Sequence, residues 1–402
     1  MKYLIALIFV LLPAYLIRFN ILGIPTTLLE IYIYLIFLIG FTRLGYSQWR
    51  RLPDCFWLPS LLLVVAAAIG VVISPDKLVA LGQFKAFFID PLLVLFLVIS
   101  YFKREDLWLF ISGLGLSSLF VSAHGIYQKI IDQVASDGRI VGIFGYNPNY
   151  LAFYLTPITA IISNWLLSNF KKYWQEKKYW VLVISILILT TNLTAIILSE
   201  SRGGVLALAG GLAISALFYY RAVFRSLWAK IILILVAVLV LLSLVWFFKP
   251  NFSLSPENGG RITSSNNIRY EIWKTSVELI GKYPVFGLGL GNFQPTFTEF
   301  TKDRVNFPEY ISPLALSPHN LFLAFYLNTG LLGLISFLLL LICFFKKIFK
   351  QKINSKIIIL SGILVILIHG LVDTPYFKND LSILFWGLVA FMIILNKEDL
   401  KL

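Results

Sequence analysis

The sequence predicts an all-α polytopic membrane protein with about twelve transmembrane helices. Hydrophobic residues make up 59% of the 402-residue chain and charged residues only 13%, whereas a soluble domain is about one-quarter charged. The mean hydropathy is +0.85. Long apolar runs recur along the chain without the alternation of apolar and polar residues that barrel strands show. These three observations favour membrane helices over a soluble domain and over a barrel.

The apolar runs divide the chain into nine predicted spans, one long polar loop and three further spans. The predicted spans are 3–17, 27–41, 56–74, 84–102, 107–128, 149–168, 179–198, 203–220, 228–248, 319–345, 356–373 and 380–395. Some of them are short for a bilayer, which indicates tilt or partial burial. The chain is accordingly one integral membrane domain, with spans one to nine in 1–249, the loop in 250–318 and spans ten to twelve in 319–402.

The placement of positive charge predicts the orientation of the chain. The net charge is +14, and most Lys and Arg residues of the short connecting segments fall on the side that contains both termini. Because these residues accumulate in cytoplasmic loops, we expect cytoplasmic N- and C-termini and a long loop on the outer face. The membrane accounts for the charge, so no nucleic-acid partner is predicted. Arg18 follows the first apolar run without a small-residue cleavage site, so this run is predicted to be a retained span.

The polar loop, Pro250–Pro318, contains a predicted amphipathic helix over Asn267–Ile280 that suits the membrane surface. Arg269 stands at the start of this helix. A guanidinium binds phosphate through two parallel hydrogen bonds and needs no metal, so Arg269 is a candidate phosphate ligand. Contact with lipid headgroups is the alternative role. Arg261 is a second candidate for the same work.

His319 lies at the end of the loop, where the tenth span begins. Ser317 is the predicted N-cap of that helix and Pro318 its first residue. The positive end of the helix dipole favours a neutral imidazole, which is able to accept a proton. Asn320 is a candidate for orienting a substrate or this imidazole. The alternative is a histidine that simply occupies a hydrated helix end.

Other ionisable residues occur at the outer ends of predicted spans. Arg202 precedes two glycines at the eighth span, where a ligand or backbone can approach closely. Pairing with Glu200, or contact with headgroups, is its structural alternative. His369 and Asp373 are four residues apart and are predicted to share one helix face at the end of the eleventh span. Both are candidate supporting residues, with a buried structural network as the alternative.

No cofactor and no metal site is predicted. The His, Cys, Asp and Glu residues lack metal-ligand spacing, and Cys55 and Cys343 give no disulfide framework. The glycine-rich segment at 287–293 follows no predicted strand, so it does not match a dinucleotide or phosphate loop. It is predicted to be a tight turn that a ligand backbone approaches.

The segment from His319 resembles the signature of the bacterial O-antigen ligase/polymerase family. His319 and Asn320 are followed by nine residues and then by Gly330 and Gly333 in a Gly-x-x-Gly pattern. Other features agree: twelve spans, one large loop between the ninth and tenth, Ser-Arg-Gly-Gly at the eighth, and an arginine followed by a tryptophan-containing helix and a glycine-rich turn. The resemblance covers the architecture and is sharpest over 199–333.

The resemblance implies a GT-C-like fold and a glycosyltransferase of the inner membrane. Family members transfer a glycan from undecaprenyl diphosphate to an acceptor on the periplasmic face. It also implies that His319 is catalytic and that Arg202 and Arg269 hold the diphosphate. The residue types suit this reaction independently, because guanidiniums stabilise a departing diphosphate and a neutral imidazole accepts a hydroxyl proton. Direct displacement inverts the anomeric carbon.

Several interpretations stay open at this point. The acceptor is lipid A core for a ligase, another lipid-linked glycan for a polymerase, or a side chain for a protein O-oligosaccharyltransferase; ligase is favoured because that label names the family. A membrane transporter of the bicarbonate type is the alternative from a different class. It predicts broken helices or charges near the bilayer midplane, in repeated halves. A non-catalytic scaffold in a glycan-assembly complex is the third interpretation.

Overall fold

The computed structural model describes most of the chain. The described residues are 1–21, 24–43, 53–135, 137–145, 147–219, 265–304, 311, 315–349 and 355–398. The predicted ninth span, 228–248, and the candidate Arg261 lie outside them. The fold described below comprises these residues alone.

The chain begins with helix α1 (Lys2–Val10), a 3-10 turn (Leu12–Leu16) and an antiparallel hairpin of β1 (Arg18–Ile21) and β2 (Ile24–Thr27). The prediction of one span over 3–17 is therefore wrong in its second half. Pro13 explains the end of the helix, because proline has no N–H to donate and its ring clashes with the preceding turn.

The remaining described elements are almost all helical. They are α2 (Leu28–Arg43), α3 (Asp54–Ile73), α4 (Lys77–Phe84), α5 (Asp90–Tyr101), α6 (Leu107–Ile130), α7 (Pro148–Gln175), α8 (Tyr179–Leu198), α9 (Arg202–Tyr219), α10 (Ser265–Lys282), α11 (Phe293–Thr301), α12 (Leu321–Phe349), α13 (Ser355–His369) and α14 (Asn379–Glu398). A π-helical turn, Lys85–Ile89, joins α4 to α5, and a short 3-10 turn precedes α6. The all-α polytopic class is confirmed.

The count of about twelve transmembrane helices is not confirmed. Seven helices in the described residues are long and apolar enough to cross a membrane, and two shorter apolar helices occur at Arg202–Leu217 and Ser355–His369. The eleventh predicted span is also too long at its end. Its helix stops at His369, and Gly370 to Asp373 form an irregular connection toward α14.

The helices pack around α14, whose side chains are almost all buried. α14 packs on α5 and α13, α13 packs on α7 and α9, and α12 packs on α3. At the periphery, α8 directs Trp180, Val183 and Ile197 outward. A helix that is apolar on its exposed face suits contact with lipid.

The predicted loop helix over 267–280 is present as α10. Its apolar residues Ile272 and Leu279 are buried in a small second core that also contains Phe297 of α11 and Leu327 of α12. Val277 is 59% exposed. The apolar face of α10 therefore packs largely on α11 and α12, which attaches the helix to the membrane domain instead of leaving it to lie on the bilayer alone.

Candidate functional site

His319 lies at the N-terminal end of α12 in a strained backbone conformation. Its φ is +44°, in the left-handed region that non-glycine residues seldom adopt. Its ring nitrogen Nδ1 lies 3.0 Å from Oδ1 of Asp373. Such an outlier in a polar cluster is a reasonable indicator of a functional position. The imidazole is thus held by a carboxylate on the irregular connection between α13 and α14.

The helix cap differs from the predicted one. α12 begins at Leu321, and the side-chain oxygen of Asn320 accepts hydrogen bonds from the backbone N–H groups of Phe322 and Leu323, at 3.0 and 3.1 Å. Asn320 is therefore the N-cap, and Ser317 and Pro318 precede the helix. Asparagine is favoured at the N-cap because its side-chain carbonyl accepts hydrogen bonds from two N–H groups of the first turn that have no partner within the helix.

Asn320 also joins α12 to the Asp373 connection. Its side-chain amide donates to the backbone carbonyl of Leu371 at 3.0 Å, and the Leu321 N–H donates to the carbonyl of Gly370 at 2.7 Å. Both polar atoms of the Asn320 side chain thus make structural hydrogen bonds. They bring the His319 and Asp373 segments side by side.

Asp373 connects His319 to the loop helix. Its second oxygen, Oδ2, lies 3.7 Å from the Arg269 guanidinium, and its side chain is 5% exposed. Burial by itself raises the pKa of this carboxyl, but the neighbouring His319 and Arg269 outweigh burial and hold the pKa below its ordinary value. The carboxylate is therefore ionised under neutral conditions, between a guanidinium and an imidazole.

The loop helix makes a second contact with the same histidine. Trp273, one turn beyond Arg269 on α10, donates its indole N–H to the carbonyl oxygen of His319 at 3.0 Å. α10 thus reaches the Asp373 carboxylate with Arg269 and the His319 backbone with Trp273. The left-handed conformation of His319 is stabilised from the loop side by this hydrogen bond.

His369 takes a different place from its predicted partner Asp373. Its ring packs edge-on against Phe153, with the ring centroids 4.5 Å apart. A Cβ atom added to Gly203 would lie 3.3 Å from Nε2 of His369, so the start of α9 lies against this imidazole. The prediction that His369 and Asp373 share one helix face is wrong, because α13 ends at His369 and Asp373 turns toward His319.

Arg202 is exposed at the first turn of α9. The adjacent Gly203 approaches Val372, the residue before Asp373: a Cβ there would lie 3.1 Å from Cγ2 of Val372. The first turn of α9 and the Asp373 connection therefore lie together, at the end of the bundle where α12 begins. The absence of side chains at the two glycines permits this approach.

The sequence patterns missed two contributors to this arrangement. Trp273 stood out only as part of an amphipathic helix, and nothing in the sequence pairs its indole with a backbone carbonyl 46 residues away. Thr374 was not singled out, although its hydroxyl lies 3.2 Å from that of Ser317. Among the described residues, no group of three or more His, Cys, Asp or Glu side chains is arranged to hold a metal ion.

The arrangement supports acid–base chemistry by the His319 imidazole next to the Asp373 carboxylate. When the imidazole is neutral and its Nδ1 carries the hydrogen that faces Asp373, the opposite nitrogen, Nε2, is a proton acceptor. Arg269 brings a permanent positive charge to the same carboxylate. The His319 side chain is 19% exposed, so a substrate can reach the ring.

Fold and site define the class: an α-helical polytopic membrane protein with a His–Asp–Arg cluster at one end of its bundle. The family model described as O-antigen ligase matches residues 186–338. Over this segment the predicted resemblance to that family is confirmed. The matched segment includes Arg202, Arg269 and His319, whereas Asp373 follows it. No curated protein matches the chain.

Proposed function

We propose that this protein is a glycosyltransferase that moves a glycan from undecaprenyl diphosphate to an acceptor hydroxyl at the periplasmic face of the bacterial inner membrane. His319 is the general base, and Arg269 and Arg202 bind the diphosphate. The observation that carries the proposal is the Arg269–Asp373–His319 cluster, formed by the polar loop and two helix connections. The match to the O-antigen ligase family supports the general reaction type.

The reaction proceeds as one displacement at the anomeric carbon. The acceptor oxygen attacks this carbon while Nε2 of His319 takes the hydroxyl proton. The bond between the anomeric carbon and the diphosphate oxygen breaks, and the electron pair leaves on undecaprenyl diphosphate. Attack opposite the leaving group inverts the anomeric configuration. No nucleotide is consumed, because the donor arrives already activated on its lipid.

Asp373 and the arginines have distinct tasks in this scheme. Asp373 keeps the hydrogen of His319 on Nδ1 and stabilises the imidazolium that forms once Nε2 takes the proton. Arg269 and Arg202 stabilise the charge that grows on the departing diphosphate. Because guanidiniums remain protonated and bind phosphate in a planar, bidentate manner, they do so without a metal.

The acceptor defines three versions of this function. Lipid A core makes the protein an O-antigen ligase, another lipid-linked glycan makes it an O-antigen polymerase, and a protein side chain makes it a protein O-oligosaccharyltransferase. We favour the ligase, in line with the description of the matched family.

A bicarbonate-type transporter shares one expected feature with this protein, a broken helix: α12 is interrupted at Gly330. In a transporter, the backbone groups freed by such a break line a substrate pathway. Here backbone groups beside the break bond to a loop segment instead, as with the N–H of Leu331 and the carbonyl of Val285. The break therefore gives transport no specific support.

Reconstitution tests the proposed function. Proteoliposomes with the purified protein and an undecaprenyl-diphosphate-linked glycan are offered lipid A core, a second lipid-linked glycan or an acceptor protein in turn. Mass spectrometry should detect one glycosylated acceptor and an equal amount of released undecaprenyl diphosphate. Bicarbonate flux in the same vesicles, with no product from any acceptor, would contradict the proposal.

Arg269→Lys should lower turnover roughly ten- to a hundredfold, although the positive charge is kept. Lysine lacks the planar pair of N–H groups that binds two phosphate oxygens, and the loss of one or two charge-assisted hydrogen bonds amounts to about 1.5–3 kcal/mol. Steady-state transfer assays measure the effect. Arg304→Lys is the matched control, because Arg304 pairs with Glu278 within the loop region. Equal rates for the two variants would argue against phosphate binding by Arg269.

A further inference from the structure

Helix α12 is interrupted at Gly330, nine residues after its first residue. The backbone of Gly330 has φ +68° and ψ −173°, a region of conformational space that is essentially restricted to glycine. The helix continues on both sides of this residue. A break inside a long apolar helix leaves backbone groups that must find other partners, because hydrocarbon offers none.

A segment of the polar loop, Pro284–Leu290, supplies these partners. In an uninterrupted helix the N–H of Leu331 would donate to the carbonyl of Leu327. Instead it donates to the carbonyl of Val285 at 2.9 Å, while the carbonyl of Leu327 accepts from the N–H of Leu288 at 2.7 Å. The loop backbone thus replaces one helix hydrogen bond with two of its own. We call this arrangement of Pro284–Leu290 in the Gly330 break the interlock.

Glycine is required on both sides of the interlock. A Cβ atom on Gly330 would lie 2.5 Å from the carbonyl oxygen of Val285. A Cβ atom on Gly287, whose φ is +71°, would lie 2.5 Å from the carbonyl oxygen of Tyr326. Both distances are too short for a real contact, and both clashes involve backbone that cannot turn away. The glycine-rich segment is therefore approached by a helix backbone, where the sequence suggested a ligand.

The far end of the interlock is fixed to a second helix. The N–H of Leu290 donates to the carbonyl of Gly70, near the end of α3, at 3.2 Å. The hydroxyl of Ser74 donates to the carbonyl of Leu290 at 2.9 Å. The segment is thus bonded to α12 on one side and to α3 on the other, and these two helices pack against each other.

The interlock lies between the two halves of the proposed site. α10, which carries Arg269, ends at Lys282 and leads directly into the interlock. α12, which begins directly after His319 and Asn320, contains the break. With the interlock formed, α10 has a fixed position relative to the N-terminal end of α12. Without it, α10 loses its attachment to the break in α12, whereas its contacts in the small second core, its pairing with Arg304 and its Trp273 and Arg269 contacts stay in place.

We propose that the interlock positions Arg269 relative to His319, and that Gly287 and Gly330 are positioning residues for transfer. The inference rests on the proposed roles of these two side chains, but the geometry of α10 can be measured without reference to activity. The interlock also explains the spacing between His319 and Gly330, because the break in α12 must lie where the segment after α10 reaches that helix.

Gly330→Ala tests the inference. Alanine should restore the regular helix and expel Pro284–Leu290. Gly281→Ala is the matched control, because Gly281 lies on α10 and a Cβ there meets no atom within 4 Å. If Gly330→Ala does not fold, Ser74→Ala serves in its place, since it removes one anchor of the interlock and leaves α12 intact.

The first readout is a distance. Spin labels at Val277→Cys on α10 and Leu371→Cys beside Asp373, with Cys55 and Cys343 changed to Ser, report the position of α10 relative to the site. Both labelled positions are more than half exposed, at 59% and 52%. Pulsed electron paramagnetic resonance should give one narrow distribution of the distance between the two labels for the Gly281→Ala control. It should give a broadened or displaced one for Gly330→Ala. Equal distributions would overturn the inference.

The second readout separates this inference from the proposed function. In the transfer assay, Gly330→Ala should lower kcat more than tenfold while KM for the acceptor changes less than threefold, because the chemical step depends on the placement of Arg269. A distance change with unaltered kcat would overturn the positioning role. If the unmodified protein transfers no glycan to any acceptor, the proposed function fails, whereas the distance measurement still decides whether the interlock holds α10.

Discussion

His319→Ala should lower the rate of glycan transfer by about 10²- to 10⁴-fold, the range that general base catalysis contributes. The imidazole is the group whose Nε2 receives the acceptor proton, and alanine offers no substitute. Insertion should be unaffected, because His319 precedes α12 and its side chain is 19% exposed. Initial rates in proteoliposomes, normalised to the amount of inserted protein, measure the effect.

The control for this variant is another histidine of the chain. His124 lies within α6, which packs on α1, α7 and α8, and His124→Ala removes an imidazole from this helix. His319→Gln is a further comparison, since an amide keeps hydrogen-bonding capacity but does not act as a base. We expect His124→Ala to retain activity and His319→Gln to lose it. Transfer by His319→Ala at the rate of the unmodified protein would remove this residue as the base.

Asp373→Asn should have the second-largest effect, a loss of roughly 10²-fold or more in kcat. The amide keeps the size of the side chain but removes the charge that stabilises the imidazolium, and its NH₂ group can face Nδ1 and favour the wrong tautomer. Asp76→Asn is the matched control, because Asp76 caps α4 and asparagine caps helices equally well. A kcat within twofold of the control would contradict the role of Asp373.

The lowered pKa of Asp373 determines where pH enters this experiment. A carboxyl whose pKa is lower in the folded protein stabilises it at pH values above the pKa of the unfolded chain. That contribution disappears only as the pH falls through the lower value. Asp373→Asn should therefore destabilise the protein at neutral pH, and the difference in stability should shrink in strong acid. A thermal unfolding series over pH measures this.

Composition and periodicity predicted the helical membrane class, because nothing else accommodates so many long apolar runs in one chain. The amphipathic spacing around Ile268 and Ile272 likewise predicted α10. The predicted bounds of two spans were wrong because local signals conflicted. At 3–17 the long apolar run was given more weight than Pro13, which ends the helix. At 356–373 the apolar run continues past the end of the helix at His369, and hydropathy does not distinguish a helix from the apolar connection that follows it.

The candidate site was accessible from sequence only as a set of separate residues. Residue type, position and the family resemblance singled out Arg202, Arg269 and His319, with Asp373 as a supporting candidate paired with His369. The contacts that join Arg269 and His319 run through Asp373, 54 residues beyond the histidine. The Gly330 break was equally hidden, because its cause is a loop segment about 40 residues earlier that offers replacement hydrogen bonds. Tertiary hydrogen bonding of this kind has no local periodicity from which it can be predicted.

The arginines are proposed to bind the donor and His319 to take the proton, so a measurement that separates donor binding from glycan transfer distinguishes the two roles. Binding of a fluorescent undecaprenyl-diphosphate-linked glycan is titrated beside single-turnover transfer for His319→Ala and Arg269→Ala. We predict that His319→Ala binds the donor with unchanged Kd and transfers almost nothing, whereas Arg269→Ala loses affinity at least tenfold. Normal donor binding by Arg269→Ala together with normal transfer by His319→Ala would rule out both proposed roles.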